Sequence, residues 1–71
     1  MFDEYEVVTL KRDLPEYGLK AGTRGAIVMV HHAPARAYEV ELVDSDGSTL
    51  DVLTLKDDDL VALRSRRDEA A

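Results

Sequence analysis

The sequence predicts an all-β protein, a small five-stranded SH3-like barrel with a 3₁₀ turn before its last strand. Three observations lead there. Gly18, Gly22 and Gly25 run into the apolar stretch Ala26 to Val30, and glycine redirects a backbone sharply because it reaches positive φ without steric cost. Tyr38, Val40 and Leu42 alternate with Glu39 and Glu41, the period-two pattern of a strand with one buried and one wet face. Asp46-Gly47 separates that run from another apolar stretch, and Asp-Gly suits the tight turn of a hairpin.

Taken in order, Tyr5 to Lys11 is rich in β-branched and aromatic residues and reads as the first strand. Arg12 to Gly18 follows as a loop, since Pro15 lacks the amide a central strand needs. Leu14 and Leu19 are expected to fold back and plug the end of the barrel. The glycine-rich stretch then launches the second strand, Arg24 to His31, which Pro34 stops. The third strand is Ala37 to Val43, the turn is Asp44 to Ser48, and the fourth strand is Thr49 to Thr54. There Leu50 and Val52 share one face while Leu53 and Leu55 call for apolar contact on the other, so the pattern leaves the register open. Leu55 to Leu60 contains the 3₁₀ turn, with an aspartate capping its free amides. Val61 to Arg64 makes the fifth strand. The domain is thus expected over 1–64, and the residues 65–71, with nothing to bury, read as a flexible C-terminal tail. An OB-fold would need more residues and a helix between its third and fourth strands.

The 71 residues make one domain and include no cysteine, which excludes disulfides and thiolate metal sites. Stability must come from apolar burial, at roughly 1.5–3 kcal/mol per fully buried large side chain. The candidate core is Val7, Leu10, Leu14, Leu19, Ile27, Val28, Val30, Val40, Leu42, Leu50, Val52, Leu53, Leu55, Leu60 and Val61, with Tyr38 also read as core. That is enough for one core and leaves little for an enclosed ligand pocket. The longest apolar run is far short of the ~18 residues of a membrane span. The N-terminal Asp3, Glu4 and Glu6 do not suit a signal peptide, and a cytoplasmic location is expected.

The net charge is −6, unevenly distributed. Residues 1–36 hold five acids and five bases, whereas 37–60 hold eight acids against Lys56 alone. An acidic hairpin repels phosphate and favours a basic partner surface.

The succession Asp13-Leu14-Pro15-Glu16, Gly18-Leu19, Gly22, Gly25-Ala26-Ile27-Val28, Tyr38-Glu39-Val40-Glu41-Leu42, Asp46-Gly47 and Leu53-Thr54-Leu55 resembles the small bacterial proteins grouped as domain-of-unknown-function family 4926. The resemblance runs from about Tyr5 to Leu60. It implies a stand-alone SH3-like barrel with no established activity, and an antitoxin-like or accessory role beside a small partner protein. Gly22, Gly25, Val28 and Val30 are also similar to KOW-type barrels, which carry more bases when they grip RNA.

Several residue groups invite chemistry. His31 and His32 are adjacent, so on a strand they face opposite ways and cannot chelate one ion together. Asp44-Ser45-Asp46-Gly47 fails as a calcium loop, because placing Gly47 at the glycine position puts Leu42 and Leu53 where ligands are required. Asp57-Asp58-Asp59 is read as a solvated cap rather than a magnesium site, and no nucleophile–base pair or phosphate loop is visible. Arg12, Lys20, Arg24 and Arg36 could gather on a phosphate-binding rim, which the acidic segment opposes. Of the tyrosines, Tyr17 in the first loop is the better contact candidate; without tryptophan, proline-peptide recognition is discounted.

These observations lead to a non-catalytic protein–protein binding module, antitoxin-, immunity- or accessory-type, with no cofactor and no metal. It would pair with a protein of basic surface through Glu39, Glu41, Asp44, Asp46, Asp51 and Tyr17, itself a monomer or weak homo-oligomer. The alternative is a KOW-like RNA-binding or ribosome-associated module.

Overall fold

Strict alternation in Ala37–Val43 produces the organising strand of the structure. In the computed structural model, which describes residues 1–63, this strand buries Tyr38, Val40 and Leu42 completely and turns Glu39 and Glu41 outward. We number the strands β1 (Val7–Leu10), β2 (Arg24–His31), β3 (Ala37–Val43), β4 (Thr49–Leu55) and β5 (Leu60–Ala62). All neighbours pair antiparallel, in the order β4-β3-β2-β1-β5. The five antiparallel strands and the 3₁₀ turn before the last are those predicted, with β5 returning beside β1, but the sheet does not close into the expected barrel. The 3₁₀ turn Asp57–Asp59 carries the chain from one edge, β4, to the opposite edge, β5. Arg64 and the expected tail 65–71 lie outside the described residues.

The boundaries of β2 and β3 are those expected, whereas β1 is shorter and β5 begins one residue earlier, at Leu60. The Asp44–Ser48 turn forms as predicted. Asp44 Oδ1 accepts the amides of Asp46 (2.9 Å) and Ser48 (3.0 Å), and Gly47 adopts φ 85°, a conformation available to glycine without strain. Leu14 and Leu19 fold back as expected. They exchange backbone hydrogen bonds of 2.8 and 3.1 Å across a 3₁₀ turn at Pro15–Tyr17, and both are buried. At the other 3₁₀ turn Asp59 Oδ2 accepts the Lys56 amide at 3.1 Å.

The core departs from expectation in an instructive way. Val7, Val28, Leu50, Val52 and Val61 are 40, 39, 48, 52 and 45% exposed. Val8 takes the place of Val7, because Val8 pairs with Gly25 and Ala62 on the inward face. In β2 a bulge between Ile27 and Met29 lets both Ile27 and Val30 reach the core although they are an odd number of residues apart; a bulge absorbs one residue of the alternation. A second register shift, opposite Leu42 and Val43, leaves Leu50 exposed. In β4 the inward face is therefore Leu53 and Leu55.

One end of the sheet is closed by a polar hub. The Tyr38 hydroxyl donates to Asp57 Oδ1 (2.6 Å) and accepts from Arg36 Nε (2.9 Å) and the Phe2 amide (3.0 Å). One donor and two lone pairs are all that a hydroxyl offers, so it is fully satisfied. The Arg36 guanidinium also donates to the Phe2 carbonyl at 2.8 Å and lies 5.5 Å from the Tyr38 ring centroid. Phe2 packs edge-on against that ring and joins the core.

Candidate functional site

The six sequence candidates do not form one cluster. Glu39 and Glu41, two apart on β3, share the outward face of the sheet. Asp44 and Asp46 sit in the β3–β4 turn, where one oxygen of Asp44 is committed to the turn itself. Asp51 lies on the edge strand β4 and accepts the Val52 amide at 2.8 Å. A side chain that occupies an amide of an edge strand blunts that edge against unwanted pairing. Tyr17 is half exposed on the 3₁₀ turn of the first loop, with no hydrogen bond to any of the five acids.

Glu39 and Glu41 are therefore the pair the fold brings together. About 6.6 Å separates residues two apart along a strand. The side chains of both are oriented from β4, where Thr54 stands opposite Glu39 and Val52 opposite Glu41. The Thr54 hydroxyl donates to Glu39 Oε2 at 2.8 Å, and Thr49 donates to Glu41 Oε2. His31 Nε2 also contacts Glu39 Oε2, at 2.8 Å. Among the described residues, neither carboxylate has a lysine or arginine partner. The threonines and His31 were not anticipated as supports. Their signal was available only through the register, since Thr49 and Thr54 are ordinary strand residues until β4 is aligned on β3.

The Thr54 hydroxyl, followed by His31, holds the Glu39 carboxyl below the ordinary carboxylate pKa. Because hydrogen bonding favours the charged form in the folded state, ionised Glu39 contributes stability above its unfolded-state pKa. That contribution is lost as pH falls through the lowered folded value. Replacing Thr54 with Val should raise the Glu39 pKa toward the ordinary value. NMR titration of the side-chain carboxyl carbon reads this directly; an unchanged midpoint would show that the hydroxyl is not the main support.

The bases are distributed differently. Arg12 pairs with Asp59 at 3.0 Å and donates to the Asp58 carbonyl at 3.1 Å, while Arg36 is held in the Tyr38 hub. Arg24 lies in a shallow groove with Val43, Asp44, Asp46 and Leu50. The histidines have separate partners, His31 with Glu39 and His32 with Arg36 at 3.4 Å. Among the described residues, no three His, Asp or Glu side chains converge as metal ligands, and no helix is long and apolar enough to cross a membrane.

The fold and this face define a small, open five-stranded antiparallel β protein with an oriented carboxylate pair on its outer surface. Residues 4–62 match the family described as Domain of unknown function (DUF4926), and the chain belongs to that family. No curated protein and no solved structure matches the chain.

Proposed function

We propose that this protein is a non-catalytic binding module of the cytoplasm that pairs with a protein of basic surface, in an antitoxin-, immunity- or accessory-type role. The observation that carries the reading is the Glu39–Glu41 pair. Its carboxylates are held by Thr54, His31 and Thr49 on an exposed sheet face. Side chains ordered before association lose less entropy on binding, and like charges set side by side steer a cationic partner. Asp44, Asp46 and Asp51 add to the negative field, and Tyr17 stands as a separate contact. The pairing of Arg12 with Asp59 at the surface and of Arg36 with Tyr38 and Phe2 favours this reading over a phosphate-binding rim.

The test is affinity capture from native lysate with the wild type and a Glu39→Lys, Glu41→Lys variant, each with and without nuclease. Recovery of one basic protein by the wild type alone, unchanged by nuclease, is expected. With that protein purified, the variant should associate at least about tenfold more slowly at low salt, with a flatter salt dependence. Recovery of RNA or ribosomal proteins that nuclease abolishes would instead establish the RNA-binding alternative. Equal association rates for wild type and variant would sink the role of this face.

A further inference from the structure

The outer face is not simply acidic. The β1–β2, β2–β3 and β3–β4 registers place Val7, Ala26, Glu41 and Val52 in one row across four strands. Leu63 extends the row, its amide bonded to the Val7 carbonyl at 3.1 Å. Met29 lies opposite Glu39 in the neighbouring row. Val7, Met29, Val52 and Leu63 are all 40–52% exposed. With strands about 4.8 Å apart, Glu41 has an apolar neighbour on each side.

We infer that this face takes a segment of a second protein that carries apolar side chains flanked by lysine or arginine. The inference rests on the proposed basic partner and specifies its chemistry. A purely cationic segment would satisfy the carboxylates and leave Val7, Met29 and Val52 in water. A purely apolar one would desolvate Glu39 and Glu41 without a counter-charge, which is costly. Only the mixed segment meets both demands, an apolar contact with charged groups paired around it. A second copy of this chain fits poorly, because an isologous contact through this face sets Glu39 and Glu41 against their own counterparts. The same carboxylates repel an anionic lipid surface.

The test titrates the full chain, followed by ¹⁵N NMR, with two synthetic peptides of equal charge: an amphipathic leucine–lysine peptide and an oligolysine. The leucine–lysine peptide should bind about tenfold more tightly, a gain that partial burial of one or two leucines supplies. Shifts should centre on Val7, Met29, Glu39, Glu41 and Val52. A Met29→Ser, Val52→Ser variant should bring it down to the oligolysine affinity and leave oligolysine binding unchanged. Val52→Thr, which keeps the β-branch, provides the same comparison if the double variant does not fold. Equal affinities for the two peptides, insensitivity to the apolar variants, or shifts confined to the Asp44–Gly47 groove would overturn the inference. Those outcomes leave the basic-partner reading intact provided Glu39→Lys, Glu41→Lys still weakens both peptides. If charge reversal weakens neither, both readings fall.

Discussion

Replacing Tyr38 with Ala is expected to cost about 3–5 kcal/mol of folding stability, the range for removing a large buried aromatic side chain. Tyr38 is fully buried in β3, packs against Phe2 and joins residues 2, 36 and 57 through its hydroxyl. A chain of this length holds only about 4–10 kcal/mol in total, so the variant should be largely unfolded under mild denaturing conditions. Tyr38→Phe separates ring from hydroxyl. It keeps the packing but leaves the Phe2 amide, Arg36 Nε and Asp57 without their shared partner, at a cost of about 1–3 kcal/mol. Asp57 is part exposed and recovers some of this from water, which places the loss toward the lower end. Urea unfolding midpoints at constant slope measure both effects. If Tyr38→Phe unfolds with the wild type, the hub adds no net stability and the ring alone closes this end of the sheet.

Gly25→Ala should destabilise by about 1–3 kcal/mol, the usual cost of overpacking a filled core. A Cβ at Gly25 would meet the Glu41 carbonyl oxygen, Leu42 Cδ2 and Val40 Cγ1, each at 2.9 Å. The leucine terminus can swing aside. The valine is β-branched and stiff, and the carbonyl belongs to the β3 strand paired with β2, so relief there requires the two strands to part. A double-mutant cycle checks the cause: Val40→Ala should recover part of the loss in the Gly25→Ala background, giving a non-zero coupling energy. Additive losses would show that the strain lies in the backbone contact instead.

Gly25 also illustrates how sequence and structure divide the work. The three glycines of the stretch 18–25 look alike in sequence, yet their roles differ. Gly18 and Gly22 adopt φ of 70° and 89°, as turn residues should, while Gly25 needs only the absence of a side chain. Equally legible were the bounds of β2 and β3, the Leu14–Leu19 plug, the Asp44–Ser48 turn and the placement of Glu39 and Glu41 on one face. Each rests on local chemistry: alternation, a fixed φ at proline, or a side chain bonding to a nearby amide.

What stayed hidden depends on partners distant in the chain. In β1, Val7, Val8 and Thr9 are all good strand formers, and only pairing with β2 and β5 decides that Val8 points inward. In β4, Leu50, Val52, Leu53 and Leu55 fill both parities; alignment on β3 settles which pair is buried, and with it the positions of Thr49 and Thr54 beside the carboxylates. Phe2 gives no local signal of burial, since its place is made by the Tyr38 ring across the molecule.

Composition and short-range patterning dictate the all-β class, the five strands, the hairpin turn, the cysteine-free core and the acidic bias of residues 37–60. The inward residues of β1 and β4, the unclosed sheet with β4 and β5 as its edges, and the supports that orient Glu39 and Glu41 emerge only when the strands pair. Those features depend on register, and slipping a strand by one residue exchanges its two faces without altering its composition or its alternation.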